Sequence, residues 1–251
     1  TIKPQTSRQY AAGLAKNLGA FEVSIEGYYK DMQNLVSYKE GANFLFSLNE
    51  DWEDKITQGN GQSYGTELFV QKKRGKTTGW IGYTLAWSYR QFDEINDGQR
   101  YFFTYDRRHD FSIVMSHKFS DNFDIGLTWV YGTGNNMTFL ESRYPSVNIN
   151  GNINGIDEGN VSEIEYYPTR NNLRLPAYHR LDIGLNFHKK KKWGGRTISV
   201  GAYNVYNRKN PFFLSVNDKI EVQNGVPTST RVVQQTSLFP IIPSITYKFK
   251  F

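Results

Sequence analysis

The side chains that could act as metal ligands or take part in catalysis are scattered along this chain. They lack the spacing of a familiar catalytic or metal-binding motif. The four histidines fall on different predicted strands, with no close pair: His109, His117, His179 and His188. That arrangement favours hydrogen bonding at strand edges over zinc binding. The absence of cysteine excludes a disulfide, a thiolate metal site and a cysteine nucleophile. Gly132-Thr133-Gly134 lacks the Lys-Ser/Thr of a phosphate loop. We therefore expect neither an enzyme nor a cofactor.

Residues suited to binding a ligand are more frequent than catalytic ones, and they lie in segments predicted to be loops. Residues 145–172 are rich in Asn and Gly and carry the acids Asp157, Glu158, Glu163 and Glu165. Carboxylates can bind calcium, and aromatic rings beside acids and amides can hold a sugar or a peptide. The spacing lacks the repeated Asp of a calcium loop, so an ordinary outer loop is favoured and no metal is expected. The candidate solute contacts are five loop aromatics: Trp52, Tyr101, Phe102, Tyr166 and Tyr167.

These residues must be positioned by β-strands, because apolar and polar residues alternate along most of the chain. In one segment, Ile125, Leu127 and Trp129 lie opposite Gly126 and Thr128. The alternation predicts about nine antiparallel strands and hence an all-β fold. Their approximate ranges are 5–17, 20–35, 60–73, 77–92, 107–119, 122–138, 177–188, 196–215 and 231–251.

The composition and the connections favour a transmembrane β-barrel. Hydrophobic residues make up 38% and aromatic residues 16%, mean hydropathy is −0.60, and there is no apolar run long enough for a membrane helix. Aromatic residues concentrate at strand ends, as in two interfacial girdles. Tight turns near 17–19, 74–76 and 120–122 alternate with long loops near 36–60, 93–106, 140–174 and 218–229. A soluble carbohydrate-binding β-sandwich would also alternate and remains an alternative.

Charge adds little to this interpretation. The net charge is +6, but basic residues are scattered apart from Lys189 to Lys192, so nucleic-acid binding is not expected. The lysine run and Trp193 form either a contact with anionic lipid headgroups or a solvated turn. Because single-chain bacterial barrels have an even number of strands, nine strands predict that residues 1–251 are only the C-terminal portion of a barrel.

The end of the chain places four apolar residues on one strand face: Ile245, Tyr247, Phe249 and Phe251. This pattern resembles the C-terminal signal read by the barrel-assembly machinery of the outer membrane. Several short blocks, in order along the chain, are similar to the TonB-dependent outer-membrane receptors, particularly those of Bacteroidetes. They include Tyr64-Gly65-Thr66-Glu67-Leu68, Tyr105-Asp106-Arg107-Arg108-His109, Tyr178-His179-Arg180-Leu181-Asp182 and Asn204-Val205-Tyr206-Asn207.

The resemblance implies a 22-stranded barrel in the outer membrane, enclosing an N-terminal plug domain that lies outside this chain. A nutrient would bind at the outer loops, and TonB would act on the plug to open a path. The candidate lumen or plug contacts are charges opposite the bulky face: Glu67, Arg90, Asp110, Arg180 and Asp182. A passive porin remains the alternative transporter. The solute, and whether a surface lipoprotein caps the barrel, stay open.

Overall fold

The computed structural model describes residues 2–42, 52–146, 162–192, 194–223 and 226–251. Within these residues the chain is all-β, with sixteen strands and two short 3-10 helices, Trp52–Lys55 and Asn96–Gly98. No helix among them is long and apolar enough to cross a membrane. The all-β prediction is therefore confirmed.

Nine of the strands form one continuous antiparallel sheet, which we call the wall. In order across the sheet they are β1 (Thr6–Leu18), β2 (Phe21–Tyr38), β3 (Ile56–Lys72), β4 (Thr77–Phe92), β6 (His109–Ser120), β7 (Phe123–Gly132), β12 (Tyr178–Lys191), β13 (Gly194–Tyr203) and β16 (Ile242–Lys250). Each wall strand pairs with the next wall strand along the chain. The predicted number of wall strands is confirmed.

The other seven strands lie in the long connections. The short β5 (Tyr101–Phe102) extends the pairing of β4. The rest form three separate pairs: β8 (Asn136–Met137) with β11 (Leu173–Arg174), β9 (Ser142–Ser146) with β10 (Ser162–Tyr166), and β14 (Pro211–Gln223) with β15 (Val226–Ser237). All these connections leave the same edge of the wall, which we call the loop edge.

Short turns connect the strands at the opposite edge, which we call the turn edge. β1 and β2 are joined through Gly19, whose φ of 62° lies in the left-handed region that glycine adopts without a steric penalty. Residues 73–76 join β3 to β4, and residues 121–122 join β6 to β7. The predicted alternation of tight turns and long connections is confirmed, and it fixes which strand ends share an edge.

The strand register separates two faces of the wall. On the bulky face, four aromatic residues are direct neighbours on successive strands: Tyr10, Tyr29, Tyr64 and Trp87. Aliphatic neighbours lie closer to the turn edge, as in the row Val23, Val70, Ile81 and Ile113. Phe123, Phe187 and Tyr247 occur on this face near the turn edge. The concentration of aromatics at strand ends stays a prediction, because Tyr29 and Tyr64 lie near the middle of their strands.

None of the described residues forms a second layer over the bulky face. Leu14 is 79% exposed and Ile245 is 77% exposed. Among the described residues only four hydrophobic side chains are buried: Met32, Ile56, Phe92 and Ile95. A β-sandwich would bury its bulky rows between two sheets, so the soluble-sandwich alternative does not describe this chain.

Four predicted ranges, three of strands and one of a loop, are wrong in detail. The range 196–215 is interrupted after Tyr203, and 231–251 is interrupted after Ser237. Asn204 and Phe239 lie in these breaks with left-handed φ angles of 53° and 57°. Such φ angles lie outside the region that a regular β-strand adopts. The expected loop at 218–229 instead consists largely of β14 and β15. The expected strand 122–138 ends at Gly132.

Candidate functional site

The five charged residues predicted to face a lumen all lie on the face opposite the bulky rows, which we call the polar face. Glu67 pairs with Thr84, and Thr84 pairs with Asp110. Arg90 shares this face through its pairing with Gly61, and Asp182 shares it through Thr128. Arg180 precedes Asp182 by two residues on β12 and points to the same side. The register places these charges together on one face, while their contact with a plug stays a prediction.

Arg180 and Asp182 already interact with each other. Arg180 Nε donates to Asp182 Oδ2 at 2.9 Å, and Arg180 Nη1 donates to the hydroxyls of Tyr178 at 2.9 Å and Tyr203 at 2.7 Å. The guanidinium carbon also lies 4.1 Å from the centre of the Tyr203 ring. Asp182 Oδ1 accepts from the backbone N–H of Asn204 at 2.9 Å. This cluster therefore braces β12 against β13.

Glu67 has a like-charged neighbour. Glu26 on β2 is its direct cross-strand partner, and both side chains are exposed on the polar face. Like charges directly opposite each other destabilise a sheet unless a cation lies between them. Sequence reasoning did not single out Glu26, although its even position on β2 places it on this face. The pair is suited to receive a positively charged group from outside the described residues.

A cavity of about 440 Å³ opens on the polar face near the loop edge. Its floor includes Ser63, Ala86 and Ser88, and the connection 93–108 contributes Phe103, Tyr105, Asp106 and Arg107. Lys30 and Arg90 reach into it from β2 and β4. The volume is within the range of sites for small molecules. The small residues of the floor and the long side chains of Lys30 and Arg90 thus enclose a recess near the loop edge.

Arg90 is held in place within this cavity. A Cβ built on Gly61 would lie 2.7 Å from Arg90 Nη1, so the arginine side chain lies across Gly61 and depends on the absence of a side chain there. Its guanidinium carbon lies 4.0 Å from the centre of the Phe103 ring, and Nη1 donates to the Tyr89 carbonyl at 2.9 Å. Stacking and hydrogen bonding fix the cation above the β3 backbone.

Asp106 is the most buried carboxylate in the described part of the chain, with a side-chain exposure of 0%. Its Oδ2 accepts from Arg174 Nη2 at 2.5 Å, and its Oδ1 accepts from the backbone N–H of Ser88 at 2.6 Å. Arg108 Nη2 lies 3.5 Å from Oδ2. These contacts join the connection 93–108 to β4 and to the connection before β12. The cluster holds the roof of the cavity in place.

Buried amides hold the remaining connections. Asn136 donates to the Phe103 carbonyl at 3.0 Å. Asn204 is 0% exposed, accepts from the backbone N–H of Arg208 at 3.0 Å and donates to the Phe239 carbonyl at 3.2 Å. Asn210 exchanges two hydrogen bonds with the backbone of His179, each of 3.0 Å. Sequence reasoning missed these structural roles, because asparagine in a loop is equally typical of an exposed turn.

The structure does not gather the five candidate aromatics into one site. Trp52 is 60% exposed ahead of β3. Tyr101 is paired with Arg90 on the polar face, whereas Phe102 stacks on Tyr89 with ring centres 5.0 Å apart on the bulky face. On the β9–β10 hairpin, the Tyr167 hydroxyl donates to Glu165, and Tyr166 lies 6.2 Å from Tyr144, measured between ring centres. Solute binding by these residues stays a prediction.

Several expectations fall outside what the structure describes. Asp157, Glu158 and Trp193 lie outside the described residues, as does the side chain of Glu163. The four terminal apolar residues are described: Ile245, Tyr247 and Phe249 share one face of β16, and the ring of Phe251 lies 5.0 Å from that of Phe249, between centres. Their role as an assembly signal stays a prediction.

The histidines and one serine motif take part in ordinary strand contacts. Each histidine has a hydroxyl partner, for example Tyr83 for His109 at 2.9 Å and Thr197 for His188 at 2.9 Å. Gly61-Gln62-Ser63-Tyr64-Gly65 has the residues of a Gly-x-Ser-x-Gly nucleophile elbow, but it lies within β3 rather than at a strand-to-helix turn. Ser63 Oγ donates to Ser88 Oγ at 2.8 Å, away from all four histidines in sequence and strand order. The motif therefore has a structural role here.

Comparison with known proteins agrees with this architecture. The family model described as "TonB dependent receptor-like, beta-barrel" matches residues 1–205. The chain belongs to the TonB-dependent receptor family. This family is found in the bacterial outer membrane, which accounts for the exposed bulky rows. The narrower assignment to the Bacteroidetes receptors stays a prediction.

Solved structures of TonB-dependent receptors share the fold. The ferric-catecholate import receptor Fiu of E. coli K12 in its closed form has a TM-score of 0.53 at 13% identity, covering 98% of this chain and 28% of that one. The FrpB iron transporter of Neisseria meningitidis, F3-3 variant, has a TM-score of 0.52 at 15% identity, covering 92% and 31%. The chain thus spans less than a third of these receptors. No curated protein sequence matches it significantly.

Proposed function

We propose that the complete protein is an active outer-membrane transporter, driven by TonB, that imports a scarce nutrient. In this proposal residues 1–251 form the C-terminal portion of a 22-stranded barrel and part of its extracellular loops, and they catalyse no reaction. Membership of the receptor family carries the proposal. The sheet order supports it, since β1 and β16 end the wall, each with one strand neighbour among the described residues. Unpaired strand edges are too costly in a membrane, so further strands must close the barrel.

The two faces of the wall support the placement of lipid and plug. Exposed Leu and Ile rows are favourable against hydrocarbon, whereas a lysine or arginine there costs about 2–4 kcal/mol near the midplane. The polar face offers small residues such as Gly126 and Gly184, over which a domain could pack closely. We place the plug on this face. Glu26 and Glu67 would bind one of its cationic side chains, while Asp110, Arg180 and Asp182 would add polar contacts.

The loop edge is the side from which a solute would enter. We propose that the solute first contacts the loop aromatics and then enters the cavity lined by Lys30 and Arg90. These aromatics are Trp52, Tyr101, Phe102, Tyr166 and Tyr167. The similar structures are named as transporters of iron, of ferric citrate and of copper. Those names describe those proteins. A metal chelate is one nutrient class for this receptor, beside a glycan fragment, a peptide and cobalamin.

Growth on limiting nutrients tests this function. The strain that carries the complete receptor is compared with a receptor deletion and with a deletion complemented by a receptor lacking its TonB-contacting segment. We expect the deletion to lose growth on one nutrient class, and we expect only the intact receptor to restore it. Restoration by the receptor without that segment would indicate a passive porin. Unchanged growth of the deletion strain on every scarce nutrient would contradict a role in import.

A further inference from the structure

We propose that the cavity on the polar face binds an anionic group of the transported solute, a carboxylate or a phosphate, between Lys30 and Arg90. This inference rests on the proposed import function and names the chemical class of its substrate. It begins from the charges that line the cavity. Three cations and two carboxylates do so: Lys30, Arg90, Arg107, Asp106 and Asp110.

Both carboxylates already have partners. Asp110 Oδ2 lies 3.3 Å from Arg107 Nη1. Asp106 is neutralised from behind the cavity wall by Arg174 and Arg108. In the described part of the chain, no carboxylate lies within ion-pair distance of Lys30 or Arg90. The two remaining positive charges are therefore left without an anion.

Lys30 and Arg90 are also close to each other in the strand order. Lys30 pairs with Ser63 on β3, and Arg90 pairs with Gly61 two residues earlier on the same strand. The side chains that separate them are thus a serine and a hydrogen atom. Both cations are half-buried. Placing two like charges in a recess is unfavourable unless an anion enters between them.

The surroundings favour a solute over a plug carboxylate as that anion. The cavity opens at the loop edge, and Phe103, Tyr105 and Arg107 of an outer connection form its rim. Phe103 covers one face of the Arg90 guanidinium, and among the described residues only Nη1 of this group donates a hydrogen bond, to the Tyr89 carbonyl. A planar fork of N–H donors matches the two oxygens of a carboxylate or phosphate. Tyr105, at 70% exposure, would contact the remainder of the solute.

The experiment uses the complete purified receptor in detergent and two probe anions, citrate and inorganic phosphate, at constant ionic strength set with chloride. Raffinose serves as the uncharged probe. Titration calorimetry compares the natural receptor with the double variant Lys30→Gln/Arg90→Gln. The matched control is Lys190→Gln/Lys192→Gln, which removes two exposed charges at the turn edge.

We expect the natural receptor to bind at least one anion, and we expect affinity to fall at least tenfold in the cavity variant and less than twofold in the control. Protease protection of the plug is measured in the same samples and should not change. No anion binding by the natural receptor, or equal loss in both variants, would overturn the proposal. A third result would also overturn it: the plug of the cavity variant becomes sensitive to protease while its anion affinity equals that of the natural receptor. That result would mean that Lys30 and Arg90 bind a carboxylate of the plug. The assay needs neither TonB nor uptake, so its failure leaves the import function untouched.

Discussion

The wall and the loop edge are stabilised in opposite ways. The wall consists of backbone ladders with bulky side chains left exposed, since the membrane replaces a protein core. At the loop edge, the connections are fixed by buried polar groups such as Asp106, Asn136, Asn204 and Asn210. Among the described residues, seven buried side chains are polar or charged and only four are hydrophobic. The chain therefore relies on lipid where it crosses the membrane and on satisfied hydrogen bonds where it meets water.

The largest effect should come from removing the central carboxylate of the loop edge. Asp106→Ala leaves Arg174 and Arg108 without their buried partner, and breaking such a pair costs about 3–5 kcal/mol. We expect the amides of Asn136 and Leu175, which close this region, to exchange with deuterium more than a hundredfold faster. Mass spectrometry of peptides from 133–177 measures this. Asp110→Ala is the control, because the Asp110 side chain is 42% exposed. Equal acceleration of exchange in both variants would show that Asp106 does not hold this region together.

The next effect tests the wall. Leu127 and Ile183 are direct neighbours on the bulky face. Leu127→Lys or Ile183→Lys should destabilise the assembled barrel by about 2–4 kcal/mol and reduce its yield in the outer membrane. Thr128→Lys is the matched control on the polar face, because its direct neighbour on β12 is Asp182. Heat-modifiable migration in outer-membrane fractions reports the assembled fraction. Equal yields of the three variants would contradict the conclusion that the bulky face contacts lipid and the polar face does not.

A smaller effect separates a buried amide from an exposed one. Asn204 and Asn207 both have left-handed backbones, with φ of 53° and 52°, so glycine fits at either position without strain. Asn204→Gly should cost about 1–3 kcal/mol, because the Arg208 amide and the Phe239 carbonyl lose their buried partner. Asn207→Gly loses one hydrogen bond near the surface, to the Ile241 amide, and should cost less. Hydrogen exchange of the 204–212 peptide compares them, and a larger effect of Asn207→Gly would contradict the burial argument.

The smallest effect is a pH dependence confined to the β9–β10 hairpin. The Tyr167 hydroxyl, and then Arg143, hold the pKa of Glu165 below its ordinary value. Because the folded pKa is the lower one, the contact stabilises the hairpin above the ordinary carboxyl pKa and is lost as pH falls through the lowered value. The mobility of a spin label at Ser142, which pairs with Tyr166, should rise over that window. Glu165→Gln should abolish the transition; a transition that persists would assign it to another group.

The sequence predicted the wall far better than the loop edge. Alternation alone places Leu127 and Asp182 on opposite faces, because the strand period is fixed at two residues. Long-range pairing has no such local signal. Nothing near Asp106 indicates that its partner is Arg174, and nothing near Asn204 indicates that it bonds the carbonyl of Phe239. The site was predicted only in part. The faces of Glu67 and Arg90 followed from the two-residue strand period, whereas the cavity depends on the connection 93–108, whose Phe103 packs against Arg90.

The most direct test of the whole account is the environment of each face of β7. The chain has no cysteine, so single cysteines can be placed at positions 123–131 of the complete receptor, with any cysteines elsewhere replaced, and spin-labelled in a bilayer. Collision with oxygen, which is soluble in lipid, should peak at Ile125, Leu127 and Trp129, and protection from a water-soluble nickel complex should peak at the same positions. Labels at Asp124, Gly126 and Thr128, which face the lumen and plug, should collide with oxygen less often. Accessibility without a two-residue period, or with the faces exchanged, would contradict a wall that turns its bulky side to lipid.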